Sequence, residues 1–149
     1  MRKGSVTAAS LVLAFVLVTG FAAIPSVHAA RDPFVGSWKA IDIHYDNSQM
    51  TIVISGSQDS GYSIVLHDNG APGPCGYGSD GKWNAMVIKA TGTSSGNVLT
   101  GSGPAWCLQH HPEGATLWNP SWPMDFIYDP STGTLTSPPA SLYATFTRA

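Results

Sequence analysis

Few residues in this chain are equipped for chemistry, and they fall in three places. The first is a run in which Trp38, Ala40, Asp42 and His44 alternate with Lys39, Ile41, Ile43 and Tyr45. Alternate side chains of an extended strand share a face, so an inward Trp38 carries Asp42 and His44 inward with it. A carboxylate and an imidazole at the mouth of a barrel would orient the polar group of a ligand. The competing arrangement is a bulge after Ala40 that turns Ile41 and Ile43 to the core. The second place is the segment from Gly103 to Pro123, rich in Trp and Pro, which reads as a long irregular loop carrying Trp106, Trp118 and Trp122. Such a loop either lies on the core as a lid or offers an apolar patch to a sugar ring or a partner. The third is His110-His111-Pro112-Glu113. Neighbouring side chains of an extended segment point to opposite sides, and the spacing fits no zinc or calcium signature, so no metal site is expected even with His44 and His67 elsewhere in the chain.

Something must position these residues, and composition narrows what it is. Only 11% of the chain is charged, while Gly and Pro number 16 and 11. Few Lys and Glu with many Gly, Thr and Ser disfavour helices and suit strands and turns. No segment keeps helical periodicity. A serine elbow or a dinucleotide loop needs a strand leading into a helix, so neither has its setting here. Glu113 is the single Glu, and no paired carboxylates can be placed opposite one another from the sequence. The expectation is a protein that is not an enzyme and holds no cofactor.

The amino terminus reads as an export signal. Arg2 and Lys3 precede an apolar run from Val6 to Ile24, broken by Pro25 and followed by Val27-His28-Ala29. A basic start, an apolar core and a small-residue ending mark a cleavable signal peptide over 1–29, which leaves 30–149 as one domain. The alternative is an uncleaved membrane anchor. After cleavage no membrane span remains, and the protein is expected to be secreted. The full chain has 7 basic and 9 acidic residues, and loss of Arg2 and Lys3 moves the net charge from −2 to −4. That balance carries no electrostatic footprint for nucleic acid. Cys75 and Cys107 form an even count in an exported chain, which favours a disulfide over two free buried thiols.

The remaining chain divides into short strands. These run from Gly36 to Tyr45, Met50 to Ser55, Tyr62 to Asp68, Trp83 to Thr91, Asn97 to Ser102, Met124 to Tyr128, Thr134 to Thr136 and Ser141 to Arg148. Asn69 to Lys82, with two Pro, several Gly and Cys75, reads as a second long loop. About eight short strands on Gly and Pro turns predict an all-β fold: an antiparallel up-and-down eight-stranded barrel, or in the alternative a β-sandwich. A barrel of that size is filled by side chains or holds one small ligand.

Closure of such a barrel sets its first and last strands side by side. Phe34-Val35-Gly36-Ser37-Trp38 opens the first, and Arg148 ends the last. The guanidinium would lie over the Trp38 indole and donate to backbone carbonyls. A Gly36-x-Trp38 start with a late Arg148 resembles the calycin superfamily, which groups lipocalins and avidin-like proteins. The layout is also similar to that of small secreted bacterial proteins of unassigned function. The resemblance implies a lipocalin-like barrel in which Gly36, Trp38 and Arg148 are structural. It also implies binding of a small, mostly apolar molecule at the barrel mouth, for which Asp42, His44, Tyr62, Trp83, Trp106 and Trp118 are the candidate residues. The second expectation is an extracellular module with a solid core that meets a protein or a glycan through its Trp loop. The third is a small-barrel enzyme using His44 or His67 with an Asp.

Overall fold

A computed structural model of the chain describes residues 31–44, 46–108 and 115–149. The expected signal peptide over 1–29, Tyr45 and the His110-His111-Pro112-Glu113 run lie outside the described residues. The fold is all-β, with strands β1 (Gly36–Ile41), β2 (Gln49–Ser57), β3 (Gly61–Asp68), β4 (Ala85–Ser95), β5 (Val98–Leu108), β6 (Ala115–Pro123), β7 (Phe126–Asp129), β8 (Thr134–Ser137) and β9 (Ala144–Arg148). One helical turn, α1 (Pro72–Cys75), interrupts the loop after β3.

Every strand pairing is antiparallel, and the sheet closes on itself as β1-β2-β3-β4-β5-β7-β8-β9 and back to β1. This is an eight-stranded barrel. β6 and β7 form one interrupted strand along β5: β7 pairs near Leu99, and β6 pairs from Ser102 to Leu108. Closure leaves the ring without free edges, and β6 adds to it by pairing with the second half of β5.

Alternation fills the interior. Met50, Ile52 and Ile54 of β2, Ile64 and Leu66 of β3, Ile88 of β4, Leu99 of β5, Phe126 of β7, Leu135 of β8 and Phe146 of β9 are fully buried. Their outward neighbours, such as Thr51 and Val53, are exposed. Large aliphatic and aromatic side chains from opposite walls therefore meet across the axis and close the middle of the barrel.

One end is sealed as the sequence predicts. Trp38 is fully buried, and its Nε1–H donates to the Phe34 carbonyl at 2.8 Å. Trp38 pairs with Arg148 across β1 and β9, and the guanidinium carbon sits 3.9 Å from the indole centroid. The same guanidinium donates to the Val35 carbonyl at 2.6 Å and the Pro33 carbonyl at 2.7 Å. Gly36 has φ of +143°, a conformation that favours glycine, and a Cβ there would strike the guanidinium. Phe34 packs edge-on against Tyr62 and Tyr128, completing the base.

Three segments differ from the sequence reading. β1 ends at Ile41 rather than Tyr45, because Asp42 to Ser48 form a turn closed by hydrogen bonds between Asp42 and Ser48 and between Asn47 and Asp42. Within the expected Gly103 to Pro123 loop, the described residues are strand: Gly103 to Leu108 end β5 and Ala115–Pro123 form β6, while 109–114 lie outside the described residues. Pro104 and Pro120 are compatible with strand structure because Pro104 sits at a register shift and Pro120 lies on a strand paired, among the described residues, along one side only. β4 begins at Ala85, and Trp83 belongs to a small bridge with Tyr77.

Candidate functional site

The end of the barrel opposite Trp38 is open. Its rim is made by the β1–β2 turn, the loop from Asn69 to Asn84, β6 and the segment from Pro138 to Tyr143. These enclose a cavity of about 260 Å³. Its polar side chains are those of Asp42, Asp68 and Ser141, and its apolar walls include Met50, Met86, Trp118 and Trp122. Among the described residues no lysine or arginine lines it.

Local structure explains how each wall is held. Asp42 follows the last residue of β1 and keeps its inward direction, 7% exposed, and its Oδ1 accepts from the His44 backbone N–H at 3.1 Å. Asp68 ends β3 on the inward face, 5% exposed, with Oδ1 accepting from the Ser48 hydroxyl at 2.7 Å and the Gly70 N–H at 3.2 Å. The α1 wall is pinned twice. The Cys75–Cys107 disulfide ties it to β5, and Asn84 Nδ2 donates to the Cys75 carbonyl at 2.9 Å. Ser141 holds the far rim at the break between β6 and β7: its hydroxyl donates to the Pro123 carbonyl at 2.8 Å and accepts from the Asp125 N–H at 3.2 Å.

Burial pushes the Asp68 carboxyl up to about 6, and the negative charges of Asp46 and Asp42 push the same way, against the hydrogen bonds from Ser48 and Gly70. A group in this state asks for a compensating donor or positive charge. The Trp118 and Trp122 rings tilt against each other with centroids 4.8 Å apart. The Trp122 Nε1–H is buried and has no acceptor among the described residues.

The sequence candidates divide by position. Asp42 and Trp118 line this cavity together. His44 does not share their face. It lies in the turn beyond β1, is exposed, and stacks on Tyr143 at 3.7 Å along a separate outer groove. Ile41 and Ile43 are also exposed, so neither arrangement expected for this run holds along its whole length. Tyr62 lies at the sealed base, where its hydroxyl donates to Asp32 Oδ2 at 2.6 Å; burial and that carboxylate raise the phenol's pKa. Trp83 stacks on Tyr77 at 3.6 Å outside the cavity. Trp106 stands half-buried on β5 opposite Val87 and Leu117.

Asp68, Met50, Met86 and Trp122 line the cavity but were not candidates. The available signal was parity: Met50 and Asp68 fall on the inward faces of the second and third strands, in step with Ile52 and Leu66. Two stretches match known motifs by letter only. Gly92-Thr93-Ser94-Ser95-Gly96 runs along β4 and into its turn, and Gly76-Tyr77-Gly78-Ser79-Asp80-Gly81 leads to a strand, so neither has the helix that its motif needs. Among the described residues no group of His, Cys, Asp and Glu is arranged to hold a metal ion. Comparison with protein families, curated proteins and solved structures finds no match to this chain.

Proposed function

We propose that this is a secreted, lipocalin-like protein that binds one small molecule without transforming it, at the open end of the barrel. The observation that carries the reading is the cavity of about 260 Å³, with mostly apolar walls and a few converging polar groups. Concavity, apolar lining and sparse polar anchors are the usual make-up of a small-ligand site. The full core packing below it limits the ligand to the rim layer. Trp118 and Trp122 make binding visible, because a ligand against them changes their emission. Native mass spectrometry of the protein purified from its own source should find a carried molecule, and Trp118→Ala should weaken its retention. Absence of any carried molecule, together with no saturable emission change across a panel of small amphiphiles, would overturn the reading.

A second reading is supported by the outer surface. Ile41, Ile43 and Tyr143 are 51%, 71% and 45% exposed around one groove beside His44. A filled interior with such a patch suits an extracellular module for a protein or glycan partner. Ile43→Ser with Tyr143→Ser would abolish partner capture on that reading and leave small-molecule binding intact.

A further inference from the structure

β1 and β9 close the barrel along a ladder of two residue pairs, Trp38 with Arg148 and Lys39 with Thr147. Continued in register, the ladder would set Ile41 against Thr145 and Ile43 against Tyr143. Pairing stops instead, and these residues line the outer groove. A side-chain contact spans the gap: the His44 ring stacks on Tyr143, with centroids 3.7 Å apart and planes at 15°. We propose that this gap is a lateral gate to the cavity and that the His44–Tyr143 stack is its latch. The inference rests on the small-molecule reading above and adds the route by which the ligand enters.

Three observations support it. The first is that the walls of the gap are also walls of the cavity. Asp42, one residue past β1, lines the cavity and accepts the His44 backbone N–H at 3.1 Å. Ser141 and Leu142, just before Tyr143, line it as well. Parting the latch therefore moves cavity walls directly.

The second is the backbone of Tyr143, whose φ of +50° lies in the left-handed region that bulky residues rarely occupy. Such a conformation persists only where its surroundings hold it. Here the Ser141 and Tyr143 N–H groups both donate to the Pro138 carbonyl, at 2.9 and 3.1 Å. The turn accepts strain and aims an aromatic ring across the gap.

The third is the contrast between the two ends of the seam. At the base, the Arg148 guanidinium covers Trp38 and donates to the Val35 and Pro33 carbonyls. At the mouth, the stack is a single ring contact between two exposed residues. A seam clamped at its base and lightly latched at its mouth opens from the mouth.

The test uses the full oxidised chain and solvent exchange followed by NMR at pH 7.5. The latch variants are His44→Ala and Tyr143→Asn; asparagine tolerates the left-handed backbone, so it removes the ring without straining the turn. Ile43→Ser, on the same groove but outside the stack, is the control. Exchange is read at the Asp42 and Ser141 amides, which are bonded to the Ser48 and Pro138 carbonyls, and at the buried Trp122 indole N–H on β6. Both latch variants should speed exchange at all three sites by about two- to tenfold, as loss of one aromatic contact allows, and the control should change none. A molecule carried by the native protein should leave both latch variants faster by a similar factor. Unchanged wall amides in both variants overturn the latch. Faster wall amides with an unchanged Trp122 indole make the stack a local brace and overturn the gate. These exchange rates need no ligand, so they can fail while the cavity reading stands. An empty native spectrum overturns the small-molecule reading and the gate with it, whatever the exchange rates.

Discussion

Replacing Arg148 tests the closure of the barrel. The guanidinium performs two jobs at the sealed base: it covers the Trp38 indole at 3.9 Å and donates to the Val35 and Pro33 carbonyls at 2.6 and 2.7 Å. The cation–π contact is worth about 0.5–2 kcal/mol, depending on how far the pair is removed from water. Its ring is fully buried while the arginine reaches solvent, so a value near ~1 kcal/mol is appropriate. Each carbonyl bond adds about 1 kcal/mol net. Arg148→Met, which keeps the aliphatic stem, should therefore cost about 2–3 kcal/mol, a large part of a domain stability of about 5–15 kcal/mol. Arg148→Lys should fall between, since a point charge cannot fork to two carbonyls. Urea unfolding followed by circular dichroism, with the disulfide oxidised, measures these losses. Combined with Trp38→Leu, the cycle should show a coupling of about 1 kcal/mol. Additivity within about 0.5 kcal/mol would refute the claim that the two groups stabilise each other.

Asp68 holds its proton to about 6 in the fold against 3.8 ordinarily, so the folded state binds more protons between those values and stability falls as pH rises through that window. Asp68→Asn should be more stable than wild type by about 1–3 kcal/mol at pH 7, with the gap closing by pH 4; a less stable variant at pH 7 would contradict the burial argument. Removing the Cys75–Cys107 bridge, 32 residues apart in sequence, should cost about 3–4 kcal/mol on the chain-entropy model, seen as a lower Tm for the double Ser variant. Gly103→Ala would drive a Cβ into the Lys89 carbonyl and the Ala90 backbone where β5 crosses β4, and should lose about 1–3 kcal/mol by urea unfolding.

The barrel was legible because its signals are local. Period-two alternation in Met50-Thr51-Ile52-Val53-Ile54 or Tyr62-Ser63-Ile64-Val65-Leu66 sets strand and face together, whatever lies across the sheet. Turn residues such as Asp129-Pro130-Ser131-Thr132-Gly133 fix where the chain reverses. The Trp106–Trp122 segment misled because proline counts against a strand by propensity. Propensity does not know which strand lies on an edge or where the register shifts, and β6 is such a strand.

The sequence by itself determined the strand rhythm, the inward set that fills the core and the pairing of first strand with last, since each depends on residues near in sequence or on simple closure. It also supplied Asp42 and Trp118 as candidates, from face parity and residue type. Only the tertiary structure decided that these two meet Asp68 and Trp122 in one cavity, and that His44, Tyr62, Trp83 and Trp106 stand elsewhere. Such a meeting depends on where four separate segments end around the rim. Turn geometry, a disulfide and the Ser141 clamp set those end points, and no periodicity encodes them.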